Sequence, residues 1–332
     1  MTESIDFSEQ HRRHVVLVAN PKAGARSGRP AVERLAGLLR DNGYVAEVVT
    51  EIDAASERAE QLLESGDLRT VVAAGGDGTV GLVVNRTPVG TPISILPLGT
   101  ENLLSKYLHL APTPESVLRT IQRGNAVRLD AGRVGDRIFL LMASCGFDAD
   151  VVHRLHGQRR GHIHHLSYAK PILDSIRMYQ YPQLRIYCRD GESSPPNDER
   201  STSDASPREP ILARWAFVMN LPRYAGGLQI IPQALGDDGL LDVCTFREGS
   251  LWTGLMYLAG VLFGRHQNYQ DCVNRRASRI RIESDIPAPY QLDGDPGGFT
   301  PLEIETLPGR LTLLAPPSSS PVATPRATET PA

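Results

Sequence analysis

The first third of the chain alternates between short apolar runs and longer segments in which apolar residues recur every three or four positions. Short apolar runs predict buried strands, whereas the longer period predicts helices. The predicted strands cover residues 14–20, 44–50, 69–76 and 93–99, and the predicted helices cover residues 29–43, 54–66 and a short segment that ends at Val84. A β-α-β-α order of this kind predicts a parallel sheet with helices on both faces.

The second half consists mainly of strand-like runs that are rich in β-branched and aromatic residues and are separated by turn residues. They cover residues 183–190, 211–220, 239–248, 277–284 and 309–316, after a predicted hairpin over residues 125–146 that turns near Gly135. This pattern predicts a mostly antiparallel β-sandwich. Two helices are predicted within it, around residues 164–179 and 251–263. The apolar second helix is compatible with a core position or with a membrane anchor.

These patterns divide the chain into an α/β domain over residues 14–124 and a β-rich domain over residues 125–315. The pattern leaves open whether the last strand, at residues 309–316, belongs to the second domain or pairs in the sheet of the first. Residues 1–13 and 316–332 are polar, and we predict that they form a disordered lead-in and a disordered tail. The low-complexity segment at residues 191–210, GESSPPNDERSTSDASPREP, predicts a flexible loop inside the second domain.

The composition narrows the function classes. The chain has 332 residues, of which 41% are hydrophobic and 22% are charged, as in ordinary globular proteins. A net charge of -3 argues against a nucleic-acid partner. The four cysteines form no C-x-x-C pair, so we expect reduced thiols and no thiolate zinc site. No apolar run is long enough to span a bilayer, and we expect a cytoplasmic protein.

The segment with the strongest chemical signal is VVAAGGDGTVG at residues 71–81, where glycines follow a buried strand and precede a helix. Glycines let backbone N–H groups approach an anion closely, and a helix N-terminus favours negative charge. The sequence therefore predicts a phosphate-binding turn, whose candidate residues are Gly75, Gly76, Asp77, Gly78 and Thr79. A dinucleotide fingerprint and a plain glycine turn are the alternatives. The fingerprint normally follows the first strand of a sheet, and a carboxylate in a plain turn would need a partner.

Two further loops of small and polar residues follow predicted strands and precede helices. The first covers residues 20–28, N-P-K-A-G-A-R-S-G, and the second covers residues 96–102, L-P-L-G-T-E-N. Ligands bind to open α/β sheets at the carboxyl ends of the strands, so we expect the three loops to meet at one edge. No G-x-x-x-x-G-K-[ST] segment occurs, which excludes a P-loop NTPase.

These motifs resemble those of the diacylglycerol-kinase catalytic superfamily, which includes bacterial lipid kinases, sphingosine kinases and, more distantly, NAD kinases. The resemblance extends over residues 14–315. The matching segments of the first half are N-P-K-A-G at 20–24, G-G-D-G-T at 75–79 and P-L-G-T-E-N at 97–102. Those of the second half are C-G-F-D-A at 145–149, Y-A-G-G at 224–227, I-P-Q-A at 231–234, D-D-G-L-L-D at 237–242 and D-G-D at 293–295.

The resemblance implies a two-domain kinase that uses ATP and Mg²⁺ to phosphorylate a lipid hydroxyl. It implies that the nucleotide phosphates are held by the turn at residues 75–79, by Thr100 and by Asn20, Pro21, Lys22, Ala23 and Gly24, and that Thr50 contacts the nucleotide. It also implies a structural magnesium site at Asp238 and the backbone carbonyl of Leu240, and a proton-accepting carboxylate at Asp295.

The chain departs from the family pattern in three places. The Asn and Glu that usually follow G-G-D-G-T are absent, because Val80, Gly81 and Leu82 stand there. The segment that usually ends in Asn-Asp ends here in Asn102-Leu103, and the usual D-G-E is D-G-D. We expect these changes to affect the acceptor site or the metal shell.

Phosphoryl transfer depends on positioning and charge neutralisation more than on covalent chemistry. Asp77 is the candidate for contact with Mg²⁺, through water. Asp295 is the candidate general base for the lipid hydroxyl, and Asp77 and Asp293 are the competing assignments. An ordinary turn is the alternative interpretation of residues 293–298.

Three other polar features have structural alternatives. A plain hairpin turn is the alternative to a metal site at residues 237–239. For Asp148 we expect a helix N-cap rather than a catalytic role. The histidines between residues 153 and 165 are compatible with a metal site, a solvated basic loop or a contact with anionic lipid headgroups.

The sequence thus predicts a lipid kinase acting on a diacylglycerol-like or sphingoid lipid. We expect a lipid substrate reached through a peripheral contact at the inner membrane surface, and no nucleic-acid partner. A homodimer is left open. The alternative functions are a nucleotide- or lipid-binding module without turnover and a kinase of a soluble acceptor such as NAD.

Overall fold

The computed structural model describes residues 5–6, 12–19, 28–157, 178–189, 209–224 and 227–316. The chain divides into two compact units. The first combines Met1–Ala131 with Pro308–Ala332, and the second is Gly132–Leu307.

The first unit is built on a parallel sheet. Its strands are His14–Ala19 (β2), Val45–Val49 (β3), Leu68–Gly75 (β4), Pro92–Pro97 (β5) and the final part of Leu302–Leu314 (β19). Two more strands belong wholly or partly to this unit: the two-residue strand Ile5–Asp6 (β1) and the first part of Asn125–Val134 (β6). The order across the sheet is β19-β5-β4-β2-β3, and every pair in it is parallel. The carboxyl ends of β2, β3, β4 and β5 therefore lie at one edge.

Helices cover this sheet because their apolar residues recur on one side. The helices are Arg29–Asp41 (α1), Ile52–Glu64 (α2), Asp77–Arg86 (α3), Leu103–Tyr107 (α4) and Pro114–Arg123 (α5). In α1, Val32, Leu35, Ala36 and Leu39 are buried against the alternate strand residues that start with Val15. Proline in the first turns of α1 and α5 suits those positions, which need no backbone donor.

The second unit is a β-sandwich. Its strands are Arg137–Phe139 (β7), Met142–Gly146 (β8), Leu184–Arg189 (β9), Ile211–Ala213 (β10), Trp215–Met219 (β11), Arg223–Tyr224 (β12), Leu228–Gln229 (β13), Leu241–Phe246 (β14), Cys272–Ala277 (β15), Arg279–Ser284 (β16), Pro289–Leu292 (β17), Asp295–Phe299 (β18) and the first part of β19. One sheet has the order β15-β14-β11-β8-β17-β18, and the other has the order β10-β9-β16-β19. Neighbouring strands are antiparallel, and alternate residues of both sheets form one apolar core.

Two predicted strands are each divided between the two sheets. The predicted strand at 211–220 breaks at Arg214, because β10 pairs with β9 in one sheet and β11 pairs with β8 and β14 in the other. The predicted strand at 277–284 begins later, at Arg279, because β15 ends at Ala277 in the first sheet and Ser278 forms the corner. A sandwich allows such corners, which a strand-like sequence does not reveal.

The helices of the second unit are Phe147–Gly157 (α6), Leu251–Leu262 (α7) and the 3₁₀ turn His266–Asn268. Most of the helix predicted at residues 164–179 and of the loop predicted at 191–210 lies outside the described residues. Ile5–Asp6 was predicted to be disordered, but these residues pair with β6 as an edge strand. The predicted fold class, an α/β domain followed by an antiparallel sandwich, is confirmed. Among the described helices, none combines the length and the apolar character that crossing a bilayer requires.

Candidate functional site

The turn between β4 and α3 is closely packed around its first glycine. All eight residues of β4 are buried, and α3 begins two residues after the strand ends at Gly75. A β-carbon on Gly75 would lie 2.1 Å from the hydroxyl oxygen of Thr79, so only glycine is accommodated there. By contrast, a β-carbon on Gly78 would meet no atom within 4 Å, and this residue is exposed. The turn therefore presents a bare backbone at the N-terminus of α3, as a phosphate site needs.

The turn between β5 and α4 lies against the first turn through backbone contacts. The N–H of Leu98 donates to the carbonyl oxygen of Gly75 at 3.0 Å. A β-carbon on Gly99 would lie 2.5 Å from the α-carbon of Gly76. Asn102, at φ +49°, accepts from the N–H of Gly99 at 3.0 Å and donates to its carbonyl oxygen at 2.7 Å. The structure therefore brings together two of the three predicted loops.

The Asp77 side chain links the same two turns. Its two carboxylate oxygens accept hydrogen bonds from the N–H groups of Leu103 and Leu104, at 2.9 and 3.1 Å. Burial raises the pKa of the Asp77 carboxyl, and these two hydrogen bonds oppose the rise. The carboxylate thus has partners at the first turn of α4, and each oxygen keeps a lone pair for a water molecule. The roles of Asp77 as magnesium contact and as general base remain predictions.

Of the other predicted nucleotide contacts, the structure describes Thr50 and Thr100 but not residues 20–24. Thr100 is exposed within the turn that follows β5. Thr50 is exposed directly after β3, at the same edge of the sheet but two strands from β4. The first loop, with Asn20, Pro21, Lys22, Ala23 and Gly24, lies outside the described residues.

In the second unit, the D-G-D segment forms the turn between β17 and β18. Asp293 lies at φ +51°, and its carboxylate accepts from the N–H groups of Leu140, Leu141 and Met142 at 2.6, 2.9 and 3.0 Å. Through these hydrogen bonds, Asp293 fixes the turn to residues 140–142. Asp295 is exposed at the start of β18, and its carboxylate contacts no polar partner within the described part of the chain. The role of Asp295 as general base remains a prediction.

A buried residue that was not predicted from the sequence, Gln291, supports this turn. Its side-chain oxygen accepts from the N–H of Gly294 at 2.7 Å. Its side-chain nitrogen donates to Ser144 Oγ at 3.0 Å and to Asp148 Oδ2 at 3.3 Å. The available signal was a glutamine between apolar residues just before D-G-D, since a buried amide requires partners.

Asp148 is the acidic member of this network. It lies inside the first turn of α6, so the predicted N-cap role is wrong. Its carboxylate accepts from the hydroxyls of Ser144, at 2.6 Å, and Tyr224 as well as from Gln291. Burial raises the pKa of the Asp148 carboxyl, and the three donors oppose the rise.

At the predicted structural magnesium site, a guanidinium group supplies positive charge. Asp238 accepts from the N–H of Leu240 at 3.2 Å and pairs with Arg276. The Nε atom of Arg276 also lies 3.5 Å from Asp242. Gly239, at φ +76°, closes the turn. These contacts support the turn interpretation, and the magnesium role of Asp238 and Leu240 remains a prediction.

No cluster of three or more metal-ligating side chains occurs among the described residues. His153 lies with its Nε2 atom 3.0 Å from the carbonyl oxygen of Tyr290 and contacts the Phe299 ring. His162, His164 and His165 lie outside the described residues, as do Ala225 and Gly226 of the Y-A-G-G segment.

Each half of the chain matches a known protein family. Residues 14–134 match the family model of the diacylglycerol kinase catalytic domain, and residues 142–315 match that of the YegS C-terminal NAD kinase beta sandwich-like domain. A protein of Chromohalobacter salexigens named "Probable lipid kinase YegS-like" is 27% identical over 330 residues, which are 96% of this chain and 98% of the relative.

A diacylglycerol kinase of Staphylococcus epidermidis is 23% identical over 313 residues, 92% of this chain and 93% of the relative. The crystal structure of a diacylglycerol kinase from Bacillus anthracis superposes with a TM-score of 0.64 at 20% identity, covering 93% of this chain and 99% of that chain. The similarity therefore extends through both units in sequence and in fold.

Proposed function

Since the chain belongs to the lipid kinase family that joins a diacylglycerol kinase catalytic domain to a YegS C-terminal domain, we propose that it transfers the γ-phosphoryl group of ATP to a lipid hydroxyl. The acceptor class that we propose is a diacylglycerol-like or sphingoid lipid, and the proposed location is the cytoplasm with access to a membrane surface.

The observation that carries the proposal is the contact between the turns after β4 and β5. Both lie at the carboxyl edge of a parallel sheet, and they touch through Gly76 and Gly99. Close backbone packing leaves N–H groups rather than side chains at the edge, which suits the β- and γ-phosphates of a nucleotide. Gly78 and Thr100 are the exposed residues of these turns and are our candidates for direct contact.

Mg²⁺, when bound, would neutralise charge on the phosphate oxygens during transfer. Magnesium usually keeps several water ligands and takes one or two carboxylates together with substrate phosphates. The Asp77 carboxylate fits this coordination preference, because each of its oxygens retains a lone pair that can accept from a water ligand of the ion. Asp77 therefore would hold the hydrated ion while its hydrogen bonds to Leu103 and Leu104 keep the two turns together.

The acceptor side of the reaction falls to Asp295. A lipid hydroxyl is a weak nucleophile, and a carboxylate that takes its proton in the transition state contributes typically about 10²–10⁴-fold. Aspartate is shorter than the glutamate of the family pattern by one C–C bond, about 1.5 Å. The position of the turn consequently matters, because a misplacement of about 1 Å can cost on the order of 10²-fold. Gln291, through Gly294, and Asp293 are the positioning residues that fix it.

The deciding experiment is incubation of the purified chain with γ-labelled ATP, Mg²⁺ and a total lipid extract, with NAD in a parallel reaction. The proposal predicts label in an organic-phase product that requires Mg²⁺ and is lost with chelator. Label on NAD instead would support the soluble-acceptor alternative. Nucleotide binding without transfer to either acceptor would make the chain a binding module, and each of these two results contradicts the proposal.

A further inference from the structure

Helix α7 has an unusual distribution of apolar residues. The segment at residues 251–263, LWTGLMYLAGVLF, contains no charged residue. One side of the helix is buried in the second unit through Tyr257 and Val261. The opposite side is exposed and is apolar as well, with Trp252 and Phe263 at 77% and 78% exposure. A surface helix normally places polar residues on that side.

The exposed apolar residues form one continuous stripe. At 100° per residue, Trp252, Leu255, Met256, Leu262 and Phe263 fall within an arc of about 120°. All five are exposed large hydrophobic residues. We call this stripe the α7 apolar face. Contiguous apolar surface of this kind marks an interaction site more often than isolated exposed residues do.

The helix is held firmly from its buried side, so the face is presented in a fixed orientation. The hydroxyl of Tyr257 donates to Asp271. At the start of the helix, Ser250 and Thr253 form a capping box, with the N–H of Thr253 donating to Ser250 Oγ at 3.2 Å. A β-carbon on Gly260 would lie 2.6 Å from the hydroxyl of Tyr269, so the helix packs closely there. A rearrangement that buries the face within the same unit would break these contacts.

The charges beside the helix favour an anionic partner. Arg247 lies just before α7 and Arg265 just after it, and both are exposed. Neither guanidinium has a carboxylate partner within the described residues, while the exposed Glu248 is the single acidic residue from 247 to 265. An apolar stripe that includes an exposed tryptophan and is flanked by arginines is typical of helices that lie in a membrane interface.

From this combination we infer that the α7 apolar face, with Arg247 and Arg265, docks on a lipid bilayer that carries anionic headgroups. The inference rests on the proposed function in one respect: a kinase of lipids must reach an acceptor that resides in a bilayer. The aromatic residues would enter the headgroup and acyl boundary, and the arginines would remain at the phosphates. Both interpretations of this helix then apply, each to one side: the side of Tyr257 and Val261 belongs to the core, and the α7 apolar face contacts the membrane.

The test is sedimentation of the full chain with vesicles of phosphatidylcholine and phosphatidylglycerol, without nucleotide. Replacing Trp252→Ser and Phe263→Ser together should lower vesicle partitioning by at least about tenfold, since each ring removes a large apolar surface from the contact. The matched control replaces Val89→Ser and Met178→Ser, which are 71% and 65% exposed elsewhere, and should partition as the unmodified chain does. Thermal unfolding checks that all variants are folded.

A second pair of variants separates charge from apolar contact. Arg247→Gln and Arg265→Gln should each weaken binding to the anionic vesicles by about fivefold, and added salt should remove that difference. Pure phosphatidylcholine vesicles should not distinguish these variants from the unmodified chain. Equal effects on both kinds of vesicle would contradict the proposed charge contribution.

Three results would overturn the inference. The first is equal partitioning of the Trp252→Ser/Phe263→Ser variant and the unmodified chain. The second is no partitioning of the unmodified chain. The third is a dimer in sedimentation velocity that the same variant abolishes, because the face would then join two copies. Vesicle binding without any phosphoryl transfer would sustain this inference while contradicting the proposed function, so the two failures are distinguishable.

Discussion

Replacement of Gly99 by alanine tests the contact between the turns that follow β4 and β5. A β-carbon at this position would lie 2.5 Å from the α-carbon of Gly76 and 3.1 Å from its nitrogen, where ordinary contact begins at 3.4 Å. The Asn102 side-chain oxygen, at 2.8 Å, is a third obstacle, but the two Gly76 atoms belong to the backbone, so a side-chain rotation does not relieve the clash. The turns must separate by about 1 Å, and overpacking of this kind typically costs about 1–3 kcal/mol. We expect the melting temperature to fall by about 2–4 °C per kcal/mol in a unit of this size.

Two matched glycines separate this effect from the substitution itself. Gly37 in α1 and Gly78 in α3 would each receive a β-carbon with no atom within 4 Å. Alanine in a helix gains up to about 1 kcal/mol over glycine, so Gly37→Ala and Gly78→Ala should keep or raise the melting temperature. Gly78→Ala should nevertheless weaken ATP binding by at least about tenfold, because the methyl group occupies the approach to the backbone N–H groups.

The assays are thermal unfolding by circular dichroism and ATP binding by calorimetry. Gly99→Ala should lower both the melting temperature and the affinity for ATP. Gly78→Ala should lower only the affinity for ATP, and Gly37→Ala should lower neither. A Gly99→Ala variant as stable as the unmodified chain would refute the described contact between the turns. Undiminished ATP affinity in Gly78→Ala would refute the assignment of the phosphates to the α3 N-terminus.

Three further predictions concern the second unit. Asp293→Asn should lower the free energy of unfolding by about 1.5–3 kcal/mol in denaturant titrations, because a charged acceptor of three N–H groups is lost; exposed Asp136→Asn is the control. Gln291→Leu should lower kcat by about ten- to a hundredfold without changing the KM for ATP, since it releases the Asp295 turn and removes a donor from Ser144 and Asp148 but contacts neither turn of the first unit; an equal change in both constants would contradict a positioning role. Burial raises the pKa of Asp148, so the folded chain binds this proton more tightly than the unfolded chain. The free energy of unfolding should therefore fall as pH rises from the ordinary value near 3.8 through the raised pKa. Asp148→Asn should remove that part of the slope, and an unchanged slope in pH-dependent unfolding would contradict it.

The features that the sequence predicted well are those with a local cause. The strand before Gly75 and the helix after it follow from an apolar run, a glycine turn and a helical period within about 20 residues. The turn between β5 and α4 follows in the same way. Parallel order then places both turns at one edge, since neighbouring βα units share a direction.

The features that escaped prediction depend on contacts distant in sequence. Asp77 accepts N–H groups 26 and 27 residues away, and Gln291 contacts Ser144 across 147 residues. Local patterning shows that such polar residues need partners but does not name them. The corner at Arg214 escaped for a related reason: the pairing partners on each side, β9 and β14, determine the sheet to which each half belongs.

The most direct test of the proposed chemistry is mass spectrometry of a total lipid extract after incubation with ATP and Mg²⁺, comparing the unmodified chain with Asp295→Asn and Asp136→Asn. We expect a phosphate monoester of a hydroxyl-bearing lipid with the unmodified chain and with Asp136→Asn, and at least about 10²-fold less of this product with Asp295→Asn. Full product formation by a folded Asp295→Asn variant would contradict the assignment of that carboxylate as the group that receives the hydroxyl proton.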